Sequence, residues 1–137
     1  MATLAQLRAA LAARLDTITS FKGGYVEAPG QVDPPAYIIR LGSPAITYAT
    51  AVTPDAHDYQ FSILVLVATA QGAPAQELLD AYLDPTGTDS VYAVIAASPT
   101  LGGAAAAALV TTVTNAGLVS WAGADYLGAE FLVEVLA

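Results

Sequence analysis

Residues 58–69, Asp-Tyr-Gln-Phe-Ser-Ile-Leu-Val-Leu-Val-Ala-Thr, carry a pattern that suits a strand inside a sheet. In extended backbone successive side chains point to opposite faces. Tyr59, Phe61, Ile63, Val65 and Val67 therefore share one face, and Gln60, Ser62, Leu64, Leu66 and Ala68 share the other. The first face is apolar throughout, while the second begins polar and becomes apolar. Such a strand belongs in the middle of a sheet. One face meets the core, and the second is expected to be covered over half its length by a helix or a neighbouring subunit.

Alternation returns at the end of the chain, where Leu127, Ala129, Phe131, Val133 and Val135 interleave with Tyr126, Gly128, Glu130, Leu132 and Glu134. This is a half-exposed closing strand, and Val119-Ser120-Trp121 is expected to pair with it as a hairpin through a turn at Gly123-Ala124-Asp125. A further strand is expected over residues 107–114. Before the long strand, 37–41 and 46–52 are rich in β-branched and aromatic residues and are separated by Gly42-Ser43-Pro44, so 36–69 reads as an antiparallel meander of three strands. A short strand around 25–27 lies in the Gly- and Pro-rich connection before it.

Helical spacing of Leu4, Leu7, Leu11, Leu15 and Ile18 predicts a helix over 4–16, opened by a Thr3/Gln6 capping box. Leu78, Leu79, Tyr82 and Leu83 group on one side of a second helix, which begins at 73 or 75 and ends at 83 because Pro85 has no amide hydrogen. A third starts with Thr88 or Asp89 as N-cap, buries Val91, Val94 and Ile95, and yields to Ser98-Pro99. The expected class is α+β: one domain over 1–137, with an antiparallel sheet of about four to six strands. An N-terminal helix and a two-helix hairpin would pack against it.

Charge narrows the function. Twelve acidic residues face only Arg8, Arg14, Lys22 and Arg40, a formal net charge of −8, the wrong sign for gripping a phosphate backbone. The chain has no cysteine, which removes disulfides, thiolate nucleophiles and the common zinc sites together. No apolar run approaches the ~20 residues of a membrane span. Arg8 and Arg14 interrupt the N-terminal apolar periodicity, so it does not read as a signal peptide.

No credible catalytic, cofactor or metal site emerges from the residues. The single histidine, His57, lies in a turn beside Asp58, and an imidazole without a positioned nucleophile defines no mechanism. Asp80 and Asp84 lie one helical turn apart, yet paired carboxylates on a helix more often form a solvated face than a metal site. Glu130 and Glu134 lie about 13 Å apart along a strand at ~3.3 Å per residue, beyond the roughly 5 to 9.5 Å of paired-carboxylate glycosidases. They read as charges on the outward face of an edge strand. Gly102-Gly103 lacks the lysine and spacing of a phosphate loop.

The punctuation of residues 75–103 points to a family instead. Leu79-Asp80-Ala81-Tyr82-Leu83-Asp84-Pro85-Thr86-Gly87, Ser90-Val91 and Pro99-Thr100-Leu101-Gly102-Gly103 resemble tail terminator proteins of long-tailed phages, particularly those infecting actinobacteria. The N-terminal helix, Pro35-Ala36 at the entry to the meander and Tyr126-Leu127-Gly128-Ala129-Glu130 extend the resemblance over nearly the whole chain. It implies a structural virion protein without a cofactor, made in the host cytoplasm and placed at the head-proximal end of the tail. Such a protein forms a ring, typically a hexamer, on the tail tube and ends its polymerisation. It presents a surface to head-completion or neck proteins, and genomic DNA passes through without sequence-specific binding. The hairpin tip over 52–59, with Thr53, Pro54, Asp55 and His57, is the expected axial contact with the tube or head-side neighbour. The alternatives are another neck or tail ring, a tail-tube subunit, or a small ligand-binding or enzymatic domain around His57, Asp58 and Tyr59.

Overall fold

A computed structural model describes residues 3–26, 30–48, 57–69 and 73–137. The chain is α+β. Its elements in order are α1 (Leu4–Leu15), β1 (Gly23–Tyr25), β2 (Ala36–Thr47), β3 (Asp58–Ala68), α2 (Ala73–Leu83), α3 (Val91–Ala96), a 3-10 turn at Leu101–Gly103, β4 (Ala107–Trp121) and β5 (Ala124–Leu136). The strands form one sheet in the order β1-β2-β3-β5-β4. β3 is central as its two-faced pattern requires, with β2 and β5 antiparallel on either side.

The helical layer lies on the uniformly apolar face. Leu7, Leu11, Leu15 and Ile18 are buried against Tyr37, Phe61, Ile63, Phe131 and Val133, joined by Leu79, Tyr82, Val91 and Ile95. Each large side chain removed from water there contributes roughly 1.5–3 kcal/mol. Polar contacts fix the angles between elements. Thr3 caps α1 in a reciprocal box with Gln6, and the Arg14 Nε donates to the Val94 carbonyl at 3.0 Å, docking α1 on α3. Tyr37 donates to Asp16 at 2.6 Å, and burial pushes its phenol far above the usual range, with Asp16 adding to the rise. Phe21 stacks on Tyr82 with ring centroids 4.7 Å apart. Ser20 donates to Asp89 at 2.8 Å and lies 2.9 Å from the Tyr82 hydroxyl.

The fold departs from the sequence expectations in specific places. The sheet is mixed: β1 runs parallel to β2, with Gly23 opposite Ala36 and Tyr25 opposite Ile38. Residues 36–47 form one strand, because Gly42-Ser43-Pro44 is absorbed as an irregularity between the Leu41–Phe61 and Ile46–Tyr59 pairs and makes no turn. The β-carbon of any larger residue at 42 would lie 2.9 Å from the Gln60 Cβ, so the close approach of β2 to β3 there requires glycine. The N-cap of α3 is Ser90, just beyond the expected Thr88 or Asp89. It is fully buried, accepts from the Ala93 amide at 3.0 Å and donates to the Asp84 carbonyl. The expected helical hairpin is only partly formed, since α3 has six residues and packs on α1 and β4 as well as on α2. β4 continues to Trp121, and its turn to β5 is Ala122-Gly123, with φ of 50° and 82°. Two consecutive positive φ values match the right-handed twist of a two-residue hairpin.

The second face of β3 is covered by the chain itself. Ile38, Leu64, Leu66 and Tyr126 form a smaller buried cluster, closed by Tyr25 and Val32 and by Val119, Trp121 and Ala124 of the β4–β5 hairpin. Neither a helix nor a second subunit is needed there.

Candidate functional site

Of the four hairpin-tip residues, Thr53, Pro54 and Asp55 lie outside the described residues. His57 sits at the end of the sheet, where its amide donates to the Ala137 carbonyl at 2.7 Å and its carbonyl accepts from the Ala137 amide at 3.0 Å. Its ring meets Tyr48 edge-on with centroids 5.4 Å apart, and its Nδ1 is buried with no hydrogen-bond partner. Asp58 begins β3 opposite Thr47 and Leu136, and Tyr59 is buried in the main core. The histidine thus immediately precedes β3, the aspartate and tyrosine are its first two residues, and the three do not converge on a cavity. Among the described residues, no group of three His, Asp or Glu side chains could hold a metal ion. No helix among them is long and apolar enough to cross a membrane.

A polar cluster occupies the other half of the second sheet face. β5 lies between β3 and β4, so Glu130 is on an interior strand and not on the edge that its spacing from Glu134 suggested. Glu130 Oε2 accepts from Ser62 of β3 at 2.5 Å and from Arg40 of β2 at 2.6 Å, while Oε1 accepts from Thr114 of β4 at 3.0 Å. Asn115 reaches Oε1 at 3.5 Å. The Ser62 hydrogen bond lowers the Glu130 carboxyl below its ordinary 4.5 against the opposing effect of burial, with Thr114 and the Arg40 charge assisting. The Arg40 guanidinium also lies over Trp121 at 5.8 Å. One carboxylate therefore links four strands beside a shallow cleft of ≈ 430 Å³. The sequence signal was Arg40, Ser62 and Glu130 each falling on the polar half of one face, but only the register brings them together.

The cluster braces the most exposed part of the sheet, the outer strand β4. Two register shifts interrupt it, after Val110 and after Thr114, and Asn115 adopts a φ of 54° at the second. Glu130 holds both Thr114 and Asn115 at that bulge. From Ala107 to Trp121 the strand contains no Asp, Glu, Lys, Arg or Pro. Leu109, Val113 and Leu118 are 50%, 38% and 63% exposed. Edge strands are normally protected by charge, proline or brevity. At the other end of the sheet, β1 is only three residues long and β2 carries Arg40 and Pro44. The protections are thus concentrated at one end, leaving β4 suited to meeting another chain.

Comparison with known proteins adds no family assignment: no protein-family model and no curated protein matches the chain.

Proposed function

We propose that the protein is a ring-forming structural subunit of a virion, the tail terminator of a long-tailed phage. It caps the tail tube, ends its polymerisation and offers the head or neck its attachment surface. The observation that carries this reading is β4: a 15-residue outer strand with no charged residue and three exposed large apolar side chains. Such an edge favours a protein partner over a small-molecule substrate. The resemblance of residues 75–103 to tail terminators supplies the kind of assembly. A ring joins unlike surfaces of successive subunits, and the sheet has two unlike ends. The net charge of −8 disfavours adhesion of DNA passing through. The tip over 52–59 is the proposed axial contact.

The experiment is to add the protein to polymerising tail-tube protein encoded beside it and measure tube lengths by electron microscopy. Tubes end early in proportion to added protein, with a ring at one end. Leu118→Lys combined with Val113→Lys retains the far-ultraviolet spectrum and loses both ring formation and capping. Tube lengths unchanged by the wild-type protein overturn the terminator assignment, and unaided growth of the protein into tubes assigns it to the tube.

A further inference from the structure

We propose that the groove between α1 and the end of β1 is the socket for the α2–α3 corner of a second copy of this chain, with Arg8 of one copy pairing with Asp84 of the next. This rests on the ring reading and names the contact that closes it. The groove, ≈ 350 Å³, is lined by Leu4, Ala5, Arg8, Ala9 and Val26. Val26 is 39% exposed, although it is a large aliphatic residue. Arg8 is half-buried in this apolar lining, and its Nε is buried with no hydrogen-bond partner. A buried donor left without a partner is costly, more so when charged, and a carboxylate is the acceptor that meets it best.

The complementary surface lies at the opposite end of the sheet. Leu83, Pro85, Tyr92 and Val113 surround a depression of ≈ 260 Å³ beside β4. Tyr92 protrudes there, 39% exposed, in the manner of the aromatic anchors that concentrate binding energy at interfaces. Three aspartates lie on this corner or next to it. Asp80 accepts from Gln76 at 3.0 Å and Asp89 accepts from Ser20 at 2.8 Å, whereas the exposed Asp84 carboxylate makes no hydrogen bond among the described residues. An apolar socket holding an arginine Nε without a partner among the described residues thus faces, across the molecule, a corner whose Asp84 carboxylate has none among them either. Placement at opposite ends of the sheet is what a head-to-tail contact needs, and a two-fold contact would set like surfaces together. In a chain with only four basic residues, the Arg8–Asp84 pair also fixes which surfaces meet.

Charge reversal tests it by sedimentation velocity over a concentration series. Arg8→Glu and Asp84→Arg each raise the concentration for half-assembly by at least about tenfold, and the double variant, which restores the pair with reversed sign, returns to within about threefold of wild type. Tyr92→Ala weakens assembly as each single reversal does. Thermal melting of the dilute proteins shows all variants folded, and Arg8→Gln with Asp84→Asn replace any reversal that is not. Rings that withstand the single changes, or a double variant no better than the singles, overturn this contact and leave the ring reading standing. A wild type that stays monomeric overturns both.

Discussion

Replacing Glu130 by glutamine tests whether one carboxylate braces the sheet behind β4. Glutamine keeps the volume and one carbonyl acceptor but loses the charge that Arg40, Ser62 and Thr114 address. Hydrogen bonds to a charged acceptor contribute about 1.5–3 kcal/mol each when buried. The Arg40 side chain is 37% exposed, so solvent screening reduces the ion pair to at most about 1 kcal/mol. With one bond retained, Glu130→Gln loses roughly 1–2 kcal/mol at pH 7, read as a lower urea midpoint with an unchanged slope. The loss depends on pH in a set direction. The folded state holds the carboxyl below its ordinary 4.5, so the stabilisation is complete above that value and drains away as the pH falls through the folded-state value. The gap between wild type and variant therefore stays constant from pH 7 to about 5 and narrows below about 4. Equal midpoints at pH 7, or a gap unchanged down to pH 3, refute the reasoning.

Ser90→Ala removes a buried cap that serves the Ala93 amide and the Asp84 carbonyl together, and it lowers stability by about 1–3 kcal/mol in chemical denaturation. Ala122→Gly relieves a left-handed alanine in the β4–β5 turn and raises stability by about 0.5–1 kcal/mol in the same assay, with the sheet signal unchanged in circular dichroism.

Elements whose periodicity reports burial were legible before the structure. α1 is held by a leucine stripe and a capping box, and β3 and β5 by strict alternation, so their positions and inward faces match the spacing. α2 ends near Pro85 as its missing amide hydrogen requires. Pairing direction was not legible, since Gly23-Gly24-Tyr25 reads the same whether it runs parallel or antiparallel to β2. Gly42-Ser43-Pro44 has turn composition, but whether such a triplet reverses the chain or bulges within a strand is decided by the pairing of Ile46 with Tyr59. The same limit hid the Glu130 cluster. Its three main partners come from three other strands, and only the strand order reveals that Glu130 is interior. Arg8 looked like one cation on the polar side of a helix until Val26 and the α1 alanines were seen around it.

The central claim is that this chain closes into a ring through its unlike ends. Native mass spectrometry of the wild-type protein at micromolar concentration measures this directly. The account predicts one discrete oligomer, of a single subunit number, that does not grow as concentration rises. A monomer at every concentration, or an open series of ever larger species, contradicts it.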